Sequence, residues 1–256
     1  MSESGQGLQP YPWQQGQWHN LLSRRQADRL PHALLLTGPQ GMGKRHLAAA
    51  LSQGLLCEQP GTEGAGCGRC RSCTLFAAGT HPDRLVVAPA EEGKELGIGQ
   101  VRELTHYQAL KPQYARQKVI TLYPADRMTI SAANALLKTL EEPAGETLLL
   151  LISDYPEQLL ATIRSRCQRL VFAPVVDGSA DAWLHERAPE HAPDQLLQVA
   201  GGAPLAALEL AEERIFERRA AFLEQLAALL QGGRDPLAVA EQAVTEGPER
   251  VVQWLQ

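Results

Sequence analysis

The sequence has no long hydrophobic run. Its best candidate, Leu148 to Ile152, falls far short of the ~18 apolar residues of a membrane span. It has no basic excess either: 24 Lys and Arg stand against 29 Asp and Glu, a formal net charge of −5. A chain that grips DNA by itself usually carries a basic balance. The charge therefore argues against autonomous nucleic-acid binding, while a basic patch inside a larger assembly is not excluded. Aromatic residues are scarce at 5%. With Ala and Leu abundant, this points to a helix-rich fold. Residues 1–20 are polar and Gln-rich and lack a basic start followed by an apolar stretch, so no secretory signal is expected. Cysteine is sparse but not scattered. Four of the five, Cys57, Cys67, Cys70 and Cys73, crowd together and Cys167 lies apart. In a reducing cytosol, the compartment expected here, such a cluster more often holds metal than disulfides.

What is present fits a globular chain. The 256 residues are 44% hydrophobic and 21% charged, which excludes disorder and allows one large domain or two smaller ones. Short apolar runs alternate with helical stretches from His32 to about Phe172. Strands are predicted at 33–37, 85–87, 118–122, 147–152 and 169–172. Helices are predicted at 44–56, 98–110, 131–142 and 156–164, the third ended by Pro143. Such alternation indicates a parallel sheet covered on both faces. Trp13 and Trp18 are expected to pack a first helix on the sheet edge. After Pro174 only helices follow: 179–187, 193–199, 203–210, a longer one over 212–230, and two more stretches. Gly201-Gly202 and Gly232-Gly233 mark breaks. The chain closes on Trp254-Leu255-Gln256 inside an amphipathic pattern with no stop signal.

Gly38-Pro39-Gln40-Gly41-Met42-Gly43-Lys44-Arg45 fits G-x-x-x-x-G-K without the final Ser/Thr. Glycines let backbone N–H groups curl around a phosphate at a helix N-terminus, and the lysine neutralises it. A predicted strand before and helix after support that use over an ordinary strand–helix turn. The hydroxyl absent at Arg45 would ligate Mg²⁺. Hydrolysis also needs an acid at the end of a later strand. There the chain reads Tyr123-Pro124, and Asp126 comes three residues late. The nucleotide-contact positions are therefore Gly38, Gly41, Gly43, Lys44 and Arg45. Binding is expected to be weak or absent, and hydrolysis is not expected.

The cysteines are spaced Cys57-x9-Cys67-x2-Cys70-x2-Cys73. Four thiolates can close a tetrahedral zinc site with no open position, a structural rather than catalytic arrangement. The C-x2-C-x2-C portion also serves iron–sulfur proteins, but their fourth cysteine normally follows rather than precedes. Zinc is thus favoured over a cluster and over free thiols. Cys167, with no His partner implied, reads as a small buried side chain. His81 reads as a turn residue, and Glu141-Glu142 as solvated or interface charges.

Together these features resemble one family. A P-loop module with a four-cysteine insertion right after its helix is similar to the bacterial clamp-loader subunits of DNA polymerase III, which are AAA+ proteins. Further matches are Gly79-Thr80-His81-Pro82-Asp83, the run Ala132-Ala133-Asn134-Ala135-Leu136-Leu137-Lys138-Thr139-Leu140-Glu141-Glu142-Pro143, and Ser165-Arg166-Cys167. The resemblance covers residues 11–211. It implies a RecA-like AAA+ core over 1–173 with a zinc module about 57–73, a helical lid over 174–211, and the start of an all-helical collar over 212–256. The family holds motor subunits that hydrolyse ATP and a stator that does not. Arg45, Tyr123-Pro124 and Leu205, which stands about where a motor's lid carries a phosphate-sensing Arg, depart from the motor pattern. Arg166 is then implied to be an arginine finger, reaching a neighbour's γ-phosphate in trans. The implied partners are motor (gamma/tau) and delta subunits in a five-subunit ring, and through it the sliding clamp and primed DNA, within a nucleotidyltransferase holoenzyme. An active motor-type ATPase and a zinc-stabilised nucleic-acid-binding module are the alternatives. The family's longer collar makes the ending at 256 look truncated, and such a chain is expected to fold its first two domains but assemble poorly.

Overall fold

The computed structural model describes residues 7–89, 91, 93–143, 145–212, 215–247 and 251–252. They divide into two units, one ending at Ala180 and one beginning at Asp181. In the first unit a short 3-10 turn, Pro12–Gln14, leads into α1 (Gln15–Gln26). There follow β1 (Ala33–Thr37), α2 (Lys44–Leu56), α3 (Arg71–Ala77), β2 (Arg84–Val87), α4 (Ile98–Ala109) and β3 (Lys118–Leu122). The unit continues with α5 (Ile130–Glu141), β4 (Thr147–Ser153), α6 (Ala161–Arg164) and β5 (Gln168–Val171).

The five strands form one parallel sheet in the order β2-β3-β4-β1-β5. β1 and β4 are buried along their whole length, which explains their unbroken leucine runs: a central strand covered on both faces has no polar side. β2 and β5 lie at the edges and are partly exposed. Leu35, Ile120, Leu149 and Leu151 face a core built with Val101 and Leu104 of α4 and Leu136 and Leu140 of α5. α2 packs against β3 and β4, burying Leu47 and Leu51. Thr129 caps α5 by accepting from the Ala132 N–H at 3.2 Å, and the helix stops before Pro143. The P-loop α/β core predicted from the sequence is therefore present, with the cysteine segment inserted after α2.

One local expectation changes, and two details are added. The helix expected over 156–164 is a 3-10 turn, Pro156–Gln158, followed by the short α6, with Leu159 and Leu160 extended between them. Burial of Leu159 and Ile163 in the sheet core decides that break, which periodicity cannot show. The indoles of Trp13 and Trp18 turn inward, donating to Met42 O in the glycine loop (3.2 Å) and to Glu63 O in the cysteine loop (3.0 Å). From α1, Gln17 reaches the carbonyl of Val171 on the β5 edge. The second half of the cysteine segment is helical from Arg71, with Cys70 as the cap that accepts from Cys73 N–H.

The regular elements described in the second unit are all helices: α7 (Asp181–Arg187), α8 (Pro193–Val199), α9 (Pro204–Glu212), α10 (Ile215–Leu230) and α11 (Pro236–Glu246). Leu184, Leu196 and Ala207 are fully buried, and Phe222, Val239 and Val251 form a further small core. The long helix expected from 212 is described from Ile215. Trp254, Leu255 and Gln256 lie outside the described residues. No helix among the described residues is long and apolar enough to cross a membrane.

One buried carboxylate ties the β2 edge to its surroundings. Asp83, fully buried, accepts from the N–H groups of Gln113, Tyr114 and Ala115 at 2.6–2.8 Å. The neighbouring His81 turns back to accept from Asp83 N–H at 3.1 Å, as a turn residue does. Burial lowers the His81 pKa, which keeps the ring neutral. Replacing Asp83 by Ala leaves three donors without their acceptor. We expect Asp83→Ala to lower the unfolding free energy by about 2–3 kcal/mol in urea denaturation. A loss below about 1 kcal/mol would mean that the 113–115 segment is held by other contacts.

Candidate functional site

β1 runs into the glycine loop at the C-terminal end of the sheet, where open parallel sheets bind ligands. Register decides what meets there. Thr37 at the end of β1 stands opposite Ser153 of β4 and Val171 of β5, so Gly38, Asp154 and Phe172 come out side by side. Gly38, Gly41 and Gly43 all have positive φ. At Gly38 a Cβ would lie 2.2 Å from Phe172 O, so both conformation and space demand glycine. Gly43 is the N-cap of α2, and Lys44 opens the helix as the motif requires.

The loop is braced from inside. Gln14 is completely buried, and its Nε2 donates to the carbonyls of Met42 and Gly43, both at 2.9 Å. Lys44 does not reach outward. Its Nζ donates to the carbonyls of Gly38 and Pro39 and pairs with Asp154 Oδ1 at 2.7 Å. Arg45, standing where a hydroxyl is expected, lies over the ring of Tyr123, standing where an acid is expected, at 4.8 Å. Tyr123 OH donates to Asp154 Oδ2 at 3.3 Å. The late acid, Asp126, is engaged by the backbone: its Oδ1 accepts from Asp154 N–H at 3.0 Å. Beside these residues opens a cleft of about 500 Å³, lined by Gln40, Arg45, Lys94, Arg127 and Tyr155 among others. The structure thus brings together all five predicted loop positions, with the two departures in contact with one another. Leu205 lies in α9, half-buried.

The four clustered cysteines converge. Their sulfurs all lie within 4.8 Å of one another, and Cys57 Sγ and Cys70 Sγ are 3.8 Å apart. Four thiolates at about 2.3 Å from a zinc ion stand about 3.8 Å apart, so the cluster is of a size to hold a metal ion. Backbone N–H groups point at the sulfurs: Cys67 and Gln59 donate to Cys57, Cys70 donates to Cys67, and Cys73 donates to Cys70. The Arg69 and Cys70 N–H groups hold the Cys67 thiol down at about 6, whereas burial raises Cys57 and Cys73. Trp18 and Arg25 of α1 bind the carbonyls of Glu63 and Gly64 and fasten the intervening loop. Cys167 stands apart from this group. Burial pushes its thiol up to about 12, so it stays protonated and inert.

Arg166 follows α6 at the surface. Its Nη1 donates to Thr162 O at 3.0 Å, and its Nη2 pairs with Glu141 Oε1 at 2.5 Å. Both side chains remain substantially exposed. An exposed pair of this kind adds at most about 1 kcal/mol of stability, so its chief effect is to orient the guanidinium. Sequence reasoning left out Gln14 and Asp154, and read Glu141 only as a solvated or interface charge. Asp154 had a legible signal, an acid immediately after the strand that neighbours the P-loop strand. Glu141 and Gln14 had none, because their partners lie 25 to 29 positions away.

Comparison with known proteins gives the geometry its lineage. The family model described as "DNA polymerase III, delta subunit" matches residues 13–176. The DNA polymerase III subunit delta-prime of Pseudomonas aeruginosa is 44% identical over 240 residues, covering 91% of this chain and 72% of that protein. The corresponding subunit of Escherichia coli strain K12 is 39% identical over 248 residues, covering 96% of this chain and 73% of that protein. A solved DNA polymerase III gamma subunit-related protein from Thermotoga maritima overlaps 80% of this chain and 62% of its own at 21% identity, with a TM-score of 0.47. On the sequence relationships, which run through both the glycine loop and the cysteine cluster, the chain belongs to the DNA polymerase III delta-prime subunit family.

Proposed function

We propose that this chain is the non-hydrolysing stator of a DNA polymerase III clamp loader, an AAA+ assembly that places a sliding clamp on primed DNA in the cytoplasm. The observation that carries this reading is a division of labour between two places. The catalytic positions of the chain's own P-loop are occupied by Arg45 and Tyr123, which stack on each other, and its late acid Asp126 is spent on a backbone N–H. Arg166, by contrast, sits exposed at the end of α6 with its guanidinium oriented by Glu141. In this role Arg166 reaches the γ-phosphate of ATP held by a neighbouring gamma/tau motor subunit. It offsets the charge that develops as the phosphoryl group departs. A delta subunit flanks the chain on its other side. Residues 174–211 act as the lid and 212–256 as the start of the collar. The four cysteines hold one structural zinc, which pins a segment with little apolar content of its own.

Two experiments test this reading. In a reconstituted loader, Arg166→Ala should slow DNA-stimulated ATP turnover at the motor site it faces, where such a group is worth about 10³-fold or more in other P-loop systems. An unchanged rate removes the finger, and motor-like turnover by the purified chain alone removes the stator and favours the motor-type alternative. Metal analysis should find about one zinc per chain. Chelation, or Cys67→Ser with Cys70→Ser, should open the 57–70 segment to protease; iron in its place, or a metal-free chain with that segment still protected, refutes the zinc assignment.

A further inference from the structure

A lysine binds phosphate only with N–H groups that are free to turn toward it. An ammonium has three donors and no more. In this chain each of the three has an internal acceptor: Gly38 O, Pro39 O and Asp154 Oδ1. The side chain of Lys44 is 3% exposed and that of Asp154 13%, so water does little to loosen the pair. Asp154 is itself held in place. Its second oxygen accepts from Tyr123 OH, and its N–H donates to Asp126 Oδ1. Tyr123 in turn is covered by the guanidinium of Arg45. The two positions that depart from an active P-loop therefore support the carboxylate that occupies its lysine.

We propose that Asp154 is the specificity-determining residue that keeps polyphosphate out of this glycine loop, standing against Lys44 as a built-in substitute for a ligand phosphate. The inference rests on, and deepens, the reading of this chain as a non-hydrolysing subunit, because it names the group that turns the anion away. The physical basis is charge. An incoming phosphate must break a buried ion pair at 2.7 Å and then sit beside the displaced carboxylate, a like charge. The rest of the cradle is intact: three glycines with positive φ, the start of a helix of 13 residues, and a neighbouring guanidinium. The Asp154 carboxylate is thus the component that opposes an anion at Lys44 itself. Asp154→Asn keeps its shape and an oxygen acceptor while removing its charge, which leaves Lys44 in want of an anion.

The test is calorimetric titration of the full chain with inorganic tripolyphosphate. The wild type should show no binding at millimolar ligand. Asp154→Asn should bind at least about tenfold more tightly, and adding Lys44→Met to that variant should abolish the gain. Equal binding by wild type and Asp154→Asn, or a gain that survives Lys44→Met, overturns the inference. Should Asp154→Asn fail to fold, NMR of the lysine ammonium groups in the wild type decides. The Lys44 resonance is expected to be slow to exchange with solvent and unmoved by tripolyphosphate; a ligand-induced shift overturns the inference. The Arg166→Ala measurement is independent of all these arms. A loader that needs Arg166 while Asp154→Asn gains nothing sinks this inference alone, and the converse sinks only the finger.

Discussion

Parallel pairing of β1 between β4 and β5 is the constraint on which the rest depends. Because Thr37, Ser153 and Val171 stand in one register, the three strands release their next residues at the same level. Gly38, Asp154 and Phe172 then have to share one small space. Phe172 O leaves no room for a Cβ at Gly38, and Asp154 arrives within ion-pair distance of Lys44. A slip of one residue would turn every β1 side chain to the other face of the sheet. It would also carry Asp154 away from the loop. Sheet burial and loop chemistry are thus two results of one pairing.

The same strand order links the loop to the two other features of interest. α2 leaves the loop and ends at Cys57, so the metal-type cluster begins where the phosphate-type helix stops. The 3-10 turn Pro12–Gln14 and α1 fasten both with two indoles, Trp13 on the loop and Trp18 on the cysteine segment. On the far side of the glycine loop, the chain leaves β4, turns through α6 and enters β5, presenting Arg166 just before that edge strand. Glu141 at the end of α5 meets it there. The inward-facing lysine and the outward-facing arginine have opposite characters for a physical reason. Lys44 is buried and internally paired, whereas Arg166 keeps solvent access and, among the described residues, pairs with Glu141.

Much of this was legible in the chain. The strand runs Ala33–Thr37 and Lys118–Leu122 and the helices Lys44–Leu56 and Pro193–Val199 are present at the bounds their patterns indicated. The glycine loop was readable because glycine is required where φ is positive, and the cysteine cluster because short spacings let four sulfurs converge. The break at Leu159-Leu160 was not readable. Both residues are apolar and fit a helical stripe, and only burial against the sheet makes the chain extend there. The short helix α3 was hidden for a related reason, since its cap is a cysteine that spacing assigns to metal chemistry.

The sequence by itself determined the class of fold, the candidate phosphate loop and the four thiols, because each rests on local residue chemistry or on near neighbours in the chain, whereas Arg166 was singled out only by the family resemblance. It also determined what the loop lacks, a hydroxyl at Arg45 and an acid at Tyr123. Only the tertiary structure decided where the unpaired charges went. Lys44 closes on Asp154, Arg45 on Tyr123 and Arg166 on Glu141, over separations that no helical or strand period encodes. Ion pairs and stacking act through space, and strand order, not sequence distance, sets which groups are close.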